Sequence, residues 1–291
     1  MTAFSALARL TAALPEPAAR LLVDRILVRS LMMGWPPNRA AARKNLRRVM
    51  GHGGAPPPPE AVEAALEASL GLYARFLLVM MNHPAEIKAA RERMDLALLP
   101  ALRALGAEKK GVIVVTPNYG LVGHAVWAIG ESDIPVLLPI LNREFLAHAP
   151  PEIAAKVSTV GASAAAALRK LSAGEVVLTI ADINFLPKRK TTSFFGAPAP
   201  LGYAAARLAV AAGAPILPAY ATATGERCRF EADAPIRTQS RTLDEVQNDV
   251  ARSMERFIGR NPAQWMVYED FWDVAGMDRR YALARRLARW A

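Results

Sequence analysis

The sequence has 291 residues, of which 53% are hydrophobic and 21% are charged, and its formal net charge is +10. This composition excludes a disordered chain, because disorder requires few hydrophobic residues. The length suits one large α/β domain or two small ones. A pI near 10.1 together with a mean hydropathy of +0.15 fits two kinds of partner, a nucleic acid or a membrane that carries anionic lipids.

The motifs favour the membrane surface over a nucleic acid. The sequence contains no helix-turn-helix signature, no paired Cys/His spacing and no aromatic RNA-binding motif. Cys228 is the only cysteine, so an internal disulfide is excluded, and we expect it to be a plain strand residue. His, Asp and Glu show no metal-ligand spacing, and we expect neither a metal nor another cofactor.

Residues 1–50 are expected to form basic and apolar helices at a membrane surface. No uninterrupted apolar run reaches the roughly 18 residues of a spanning helix, and the features of a secretory signal are missing. Lying on the membrane and packing on the core are both open for this region. It ends in NRAAARKNLRRVM, whose basic cluster comprises Arg39, Arg43, Lys44, Arg47 and Arg48. GHGGAPPPP at 51–59 predicts a surface loop.

Residues 60–275 are expected to form one α/β domain. A long amphipathic helix comes first, and residues 85–108 read as further helix. Apolar runs rich in Val and Ile then alternate with helical segments; they cover residues 111–118, 134–140, 175–182 and 214–223. Such alternation predicts a mostly parallel central sheet flanked by helices, in three layers.

The last residues, 276–291, read as a short basic helix, DRRYALARRLARW. An arginine-rich helix with a terminal tryptophan is typical of an interfacial segment at a membrane. A solvated basic helix end has the same composition, and both interpretations stay open.

Polar side chains follow two of the predicted strands, where an open parallel sheet binds its ligands. Asn118 and Tyr119 follow the first strand, and Asp182 and Asn184 follow the third. The next loop carries three basic residues, Lys188, Arg189 and Lys190. A carboxylate facing a basic loop suits an anionic acyl donor or a lipid headgroup, although strand-end aspartates also cap turns.

The segment GVIVVTPNYGLVGHAVWAIG resembles the strand-turn-helix of the late lipid A acyltransferases, the lauroyl and myristoyl transferases. This family belongs to the lysophospholipid acyltransferase superfamily. Further segments fall in the family's order; they are ARKNLRRVM, LYARFLLVM, EVVLTIADIN, FFGAPAPLGYAAARLAVAAGAPILPAY and NPAQWMVYEDFW. The likeness runs from about residue 38 to residue 275.

The resemblance implies acyl transfer from acyl carrier protein or coenzyme A to a membrane-bound acceptor. The family's catalytic pair is a histidine and an acid spaced H-x-x-x-x-D/E, in which the histidine takes the acceptor's proton and the acid orients the imidazole. In this chain the histidine position holds Asn118 and the acid position holds Gly123. Leu138 stands where the family has an arginine in the second strand.

Three hypotheses follow from this altered motif. The chain still transfers acyl groups, with His124 as the nearest other base, or with an amine acceptor that arrives deprotonated while Asn118 donates to the oxyanion. Alternatively, it binds an acyl chain, acyl carrier protein or lipid without turnover. In the third hypothesis it processes a thioester in another way, although no Gly-x-Ser-x-Gly elbow supports hydrolysis. The first hypothesis is preferred, with Asn118, His124 and Asp182 as catalytic candidates.

The same resemblance sets the expected partners and location. The partners are acyl carrier protein or a coenzyme A thioester and an anionic membrane surface, with no nucleic acid. The protein is expected at the cytoplasmic face of the inner membrane, as a peripheral protein. Tyr119, Asn184, the basic run from Lys188 to Lys190, and Arg207 are the candidate substrate-binding residues, and Arg207 faces either solvent or a donor phosphate.

Overall fold

The protein is described by a computed structural model over residues 3–34, 36–140, 151–159, 163–182 and 190–276. Its first part is helical: α1 (Ala3–Ala12), α2 (Glu16–Leu21), a π-helix (Leu22–Met32), α3 (Pro36–Met50), α4 (Pro59–Met80) and α5 (Pro84–Glu92). Proline opens α4 and α5, at the first helical position, where its missing N–H costs nothing. The predicted loop separates α3 from α4.

The N-terminal helices pack on α4 through one face. Their buried side chains include Val23, Val28 and Leu46, which form a common apolar cluster with Leu66 and Leu70 of α4. The opposite face leaves large apolar side chains more than half exposed: Leu10 (52%), Leu21 (61%), Ile26 (53%) and Leu31 (69%). This region therefore combines a core-packing face with an exposed apolar face.

Within the described ranges, length and apolar character let no individual helix cross a membrane. The helices α4 and α5 satisfy both criteria only as a pair, and the chain bends by 103° between them.

A seven-stranded sheet forms the centre of the described chain, in the order β1-β9-β8-β2-β5-β3-β4. Its strands are β1 (Met94–Asp95), β2 (Val112–Thr116), β3 (Val136–Ile140), β4 (Val157–Thr159), β5 (Val176–Ile180), β8 (Ile216–Thr224) and β9 (Arg227–Ala232). All pairs are parallel except β8 with β9. The four predicted strands are confirmed as β2, β3, β5 and β8, and so is the mostly parallel sheet.

Helices cover both faces of this sheet, which explains the continuous apolar strands. They are α6 (Leu99–Gly106), α7 (Val122–Glu131), α8 (Pro151–Ala154), α9 (Ser163–Ser172), α10 (Ala204–Ala212) and α11 (Leu243–Arg260). Ile113 and Val115 of β2 pack in a cluster with α9, α10 and α11. Val112 and Val114 pack on the other face with α6 and α7. The predicted three layers are thereby confirmed.

Several short elements depart from the prediction. The expected helix over 85–108 is interrupted, because β1 follows α5 and pairs with β9. Cys228 lies in β9, as expected for a strand residue. A separate hairpin joins β6 (Thr192–Phe194) to β7 (Ala197–Ala199), and a 3₁₀ turn (Pro262–Gln264) follows α11. Most of the predicted C-terminal basic helix, from residue 277 onward, lies outside the described residues.

Candidate active site

The turn between β2 and α7 places Asn118 at the carboxyl edge of the sheet. Gly120 has a φ of +57°, a left-handed conformation that glycine adopts without strain. A Cβ atom at this position would lie 1.9 Å from the carbonyl oxygen of Ala221, so a side chain cannot be accommodated. The backbone N–H of Leu121 donates to the same oxygen at 3.0 Å, which fixes the turn against β8.

Asn118 and Asp182 meet directly at this edge. Their strands are neighbours in the register Thr116 to Ile180, and each of the two residues follows its paired position by two. The Asn118 side-chain Nδ2 donates to Asp182 Oδ1 at 2.9 Å. The Asn118 backbone N–H donates to Asp182 Oδ2, also at 2.9 Å. The sequence prediction that these residues line one edge is consistent with this geometry, and their catalytic role stays a prediction.

Asp182 is a buried carboxylate held by N–H donors alone. Its exposure is 5%, and Trp265 Nε1 donates a third hydrogen bond to Oδ2 at 2.9 Å. Burial raises the pKa of Asp182 to about 6, although the hydrogen bonds from Asn118 and Trp265 act in the opposite direction. Among the described side chains no cation forms an ion pair with it. Because its pKa of about 6 lies below 7, the carboxylate is charged at neutral pH, and it orients the side chains of Asn118 and Trp265.

The segment 261–272, here called the closing segment, completes the site. The backbone N–H of Met266 donates to the Asn118 carbonyl oxygen at 2.8 Å, and Gly120 N–H donates to the Gln264 carbonyl oxygen at 2.8 Å. The Gln264 side chain also donates to and accepts from the backbone of Ala223, at 2.8 Å each way. The closing segment, which lies near the C-terminal end of the described chain, therefore fixes the turn that carries Asn118.

Asn45 of α3 holds the closing segment in turn. Its Nδ2 donates to the carbonyl oxygens of Val267 (3.1 Å) and Glu269 (2.7 Å), and its Oδ1 accepts from Phe271 N–H (3.2 Å). Asn45 is 1% exposed. Sequence reasoning quoted both segments, ARKNLRRVM and NPAQWMVYEDFW, but assigned no role to Asn45 or Trp265. The only signal in the sequence was that the two segments occur in the same order as in the family that the chain resembles.

Gly123, which the resemblance aligns with the family's acid position, has the space beside it filled by α4. A Cβ atom there would lie 2.6 Å from Cγ1 of Val79 and 2.9 Å from Cδ2 of Phe76, both closer than side chains approach. Neither branched nor aromatic side chain can turn away at low cost inside a packed interface. The backbone of α7 thus lies too near α4 for an acid to extend from this residue.

His124 is engaged in a buried ion network away from Asp182. Its Nε2 lies 2.6 Å from Glu86 Oε2, and the two side chains are 1% and 0% exposed. Arg20 and Arg75 also donate to Glu86, at 2.8 Å and 3.2 Å. Burial lowers the pKa of His124, although Glu86 acts in the opposite direction, so the ring is neutral and donates Nε2–H. The structure brings Asn118 to Asp182 and His124 to Glu86.

The other described candidates for substrate binding lie in three different environments. Tyr119 is 1% exposed, its hydroxyl donates to the Phe257 carbonyl oxygen at 3.4 Å, and burial raises its pKa to about 12. Lys190 pairs with Asp244, and its Nζ lies 5.5 Å from the ring centroid of Tyr203. Arg207 is exposed on α10. The predicted binding residues Asn184, Lys188 and Arg189 lie outside the described residues.

Leu138, which the resemblance aligns with an arginine of the family, is a core residue. It is 2% exposed in β3, and its Cδ1 would lie 3.3 Å from a Cβ atom placed on Gly130 of α7. The described residues contain no group of three His, Cys, Asp or Glu side chains arranged to hold a metal ion.

The fold and the polar edge define an α/β protein whose site is formed by the turn after β2, the end of β5 and the closing segment. The family model for bacterial lipid A biosynthesis acyltransferases matches residues 155–272. This part of the chain is similar to that acyltransferase family, which supports the resemblance drawn from the sequence. The matched region contains Asp182 and Trp265, and Asn118 precedes it. A comparison with curated proteins gives no match.

Proposed function

We propose that the protein transfers a fatty acyl group from an acyl carrier protein or coenzyme A thioester to a membrane-associated or carrier-bound acceptor. In this proposal the Asn118–Asp182 pair takes the place of the usual histidine and acid. The observation that carries it is the direct hydrogen bond of 2.9 Å between the two side chains, in a chain whose residues 155–272 match an acyltransferase family.

The pair reproduces one half of the dyad's geometry. In a histidine–acid dyad the acid accepts an N–H from the base and so fixes the atom that faces the acceptor. Asp182 accepts Nδ2–H from Asn118. The other polar atom of that amide, Oδ1 of Asn118, is left to face a substrate. Asn118 is half-buried, so this face of the amide is partly open. An amide has no useful proton affinity, and Asn118 therefore positions the acceptor and does not deprotonate it.

A membrane surface as the location of the acceptor is supported by the N-terminal helices. Leu21 ends α2, and Ile26 and Leu31 follow it at intervals of five residues within the π-helix, a spacing of about one turn in such a helix. All three side chains are more than half exposed, and so is that of Arg25 (67%). Apolar side chains flanked by arginine suit insertion at an anionic lipid surface. We therefore propose a peripheral location at a membrane surface, and the cytoplasmic face of the inner membrane as that surface.

Binding without turnover is the second candidate function. It is favoured by the surroundings of the described candidate bases, because His124 is buried beside Glu86 and Asp182 already accepts three N–H groups. A protein that only binds an acyl thioester or lipid needs no free base. The two functions differ in whether any lipid or metabolite gains an acyl group.

Mass spectrometry of lipids and metabolites in the native host tests the proposal. The strains are a deletion, a complement with the wild type, a complement with Asn118→Ala and a complement with Asn38→Ala, an exposed asparagine of α3. We expect a species heavier by one acyl group to disappear on deletion. The wild type and Asn38→Ala should restore it, and Asn118→Ala should not. Equal behaviour of all complements, or no acyl difference on deletion, contradicts acyl transfer through this site.

A further inference from the structure

The hydrogen bonds of Asn118 fix which of its atoms can meet a substrate. An ionised Asp182 only accepts hydrogen bonds, so the Asn118 amide must turn its NH₂ group toward it. The second bond, from the backbone N–H of Asn118 to the other carboxylate oxygen, prevents Asp182 from rotating away. Oδ1 therefore points away from Asp182, and it presents lone pairs where the family's histidine presents a base.

The described residues around this atom provide no replacement base. His124 donates Nε2–H to Glu86, and its basic nitrogen, Nδ1, has no hydrogen-bond partner but is buried in a side chain that is 1% exposed, so an acceptor at Asn118 does not reach it. Asp182 is 5% exposed, and three N–H donors occupy most of its lone pairs. The acid position cannot be refilled, because α4 closes the space beside Gly123. The described residues of the site can therefore accept hydrogen bonds from an acceptor, and none of them is placed to remove a proton from it.

An alcohol and an amine differ in what they require from such a site. An alcohol is a weak nucleophile until a base takes its proton during attack, and removing a general base costs about a hundred- to ten-thousand-fold. A free amine attacks a thioester as it is and loses its proton only after the C–N bond has begun to form. The Asn118 oxygen can hold one N–H of that amine in line for attack.

We infer that the acceptor of this protein is a primary amine on an amphiphilic molecule, held by the Asn118 side-chain oxygen and acylated to an amide. This inference rests on the proposed acyl transfer. The amine nitrogen bonds to the thioester carbonyl carbon, the C–S bond breaks, and the sulfur leaves as a thiolate. The proton lost by the nitrogen ends on that sulfur, so a thioester and an amine give an amide and a thiol with no other reactant.

The test uses the full-length protein in mixed micelles with two acceptors of equal chain length, hexadecylamine and hexadecanol. The donors are a series of saturated acyl-coenzyme A thioesters and the same acyl groups on acyl carrier protein. Products are quantified by mass spectrometry, with the spontaneous reaction of the amine subtracted. We expect the amide to form at least about tenfold faster than the ester. Its rate should rise by about tenfold per pH unit between pH 7 and pH 9, because the free-base fraction of an alkylamine rises in that way.

Variants separate positioning from folding. Asn118→Ala should lower amide formation by about tenfold or more, the equivalent of one oriented hydrogen bond of about 1.4 kcal/mol, while Asn38→Ala leaves it unchanged. Asn118→His supplies a base that Asp182 can orient, and we expect it to raise ester formation relative to the wild type. Thermal unfolding of each variant confirms that it is folded before its rates are compared.

A second arm examines the natural product through the acylated species that disappears on gene deletion. Mild alkaline methanolysis releases ester-linked acyl groups and leaves amides intact, so we expect this acyl group to stay attached. Its release as a methyl ester, or faster ester formation in micelles, overturns the amine acceptor and leaves acyl transfer standing. If neither acceptor is acylated and no acyl species depends on the gene, the proposed function fails together with the inference.

Discussion

Replacing Gly123 with alanine tests whether α4 closes the family's acid position. The new Cβ atom would lie 2.6 Å from Cγ1 of Val79 and 2.9 Å from Cδ2 of Phe76. Overpacking of this size costs about 1–3 kcal/mol in a packed interface. For a chain of this length that corresponds to a decrease in Tm of roughly 2–4 °C per kcal/mol. We therefore expect Gly123→Ala to lower the Tm by about 2–12 °C in a thermal unfolding experiment.

Gly71→Ala is the matched control, because Gly71 lies within α4 and a Cβ atom there meets nothing within 4 Å. Alanine should stabilise that helix by about 0.5–1 kcal/mol. Val79→Ala supplies the complementary test, since it removes the nearer clashing atom. Gly123→Ala should cost about 1 kcal/mol less in the Val79→Ala background than in the wild type. If Gly123→Ala behaves like Gly71→Ala, or if the two changes simply add, α4 does not exclude the acid.

Two further predictions concern the supports of the site. Asn45→Ala removes three buried hydrogen bonds to the closing segment, and we expect it to lower the free energy of unfolding, measured by chemical denaturation, by about 3 kcal/mol. Asn38→Ala, at an exposed residue, is the control and should change this free energy by less than about 1 kcal/mol. Burial alone would raise the pKa of Glu86, but the hydrogen bond from His124 and the nearby arginines lower it to about 2. Because the pKa of Glu86 is lower in the folded than in the unfolded state, its ionisation stabilises the fold by about 3 kcal/mol at pH values above the unfolded pKa of 4.5. This stabilisation is lost as the pH falls from 4.5 through about 2. Glu86→Gln should therefore flatten the dependence of stability on pH in this range, and Glu92→Gln, on the exposed side of α5, should not; parallel curves for all three proteins would contradict the network.

The strands that could be predicted from the sequence are the ones whose signal is local. β2 and β5 are continuous apolar runs because helices cover both faces of the sheet, and composition alone reveals such runs. β9 alternates charged and buried residues, so it lacks an apolar run, and β1 has two residues. The π-helix was predicted only as helix, because its wider turn leaves no distinct composition in the sequence.

Only those site residues that follow neighbouring parallel strands could be predicted from the sequence to lie together. Asn118 and Asp182 each follow a strand of one sheet, so their common edge follows from topology. Trp265 and Asn45 could not be found in this way, since 83 residues separate Trp265 from Asp182 and more than 200 separate Asn45 from the closing segment. The space beside Gly123 is equally non-local, because it is filled by a helix that precedes β2 in the chain.

In our proposal these observations connect Asn118 and Gly123, the two positions at which the sequence departs from the motif of the family that it resembles. With α4 packed against Gly123, a histidine at position 118 would find no acid at position 123, and the carboxylate that the described structure places beside it is Asp182 across the sheet. Burial raises the pKa of that carboxylate to about 6, so it is charged at neutral pH and strongly prefers a neighbour that donates N–H. Asparagine provides such a donor at any pH and keeps an acceptor atom on its outer side. An acceptor that is already nucleophilic needs a fixed orientation and no removal of a proton before it attacks, and in our proposal Asn118 provides that orientation. The linkage in the product, amide or ester, therefore discriminates between a site repurposed for such an acceptor and a site that has lost its reaction.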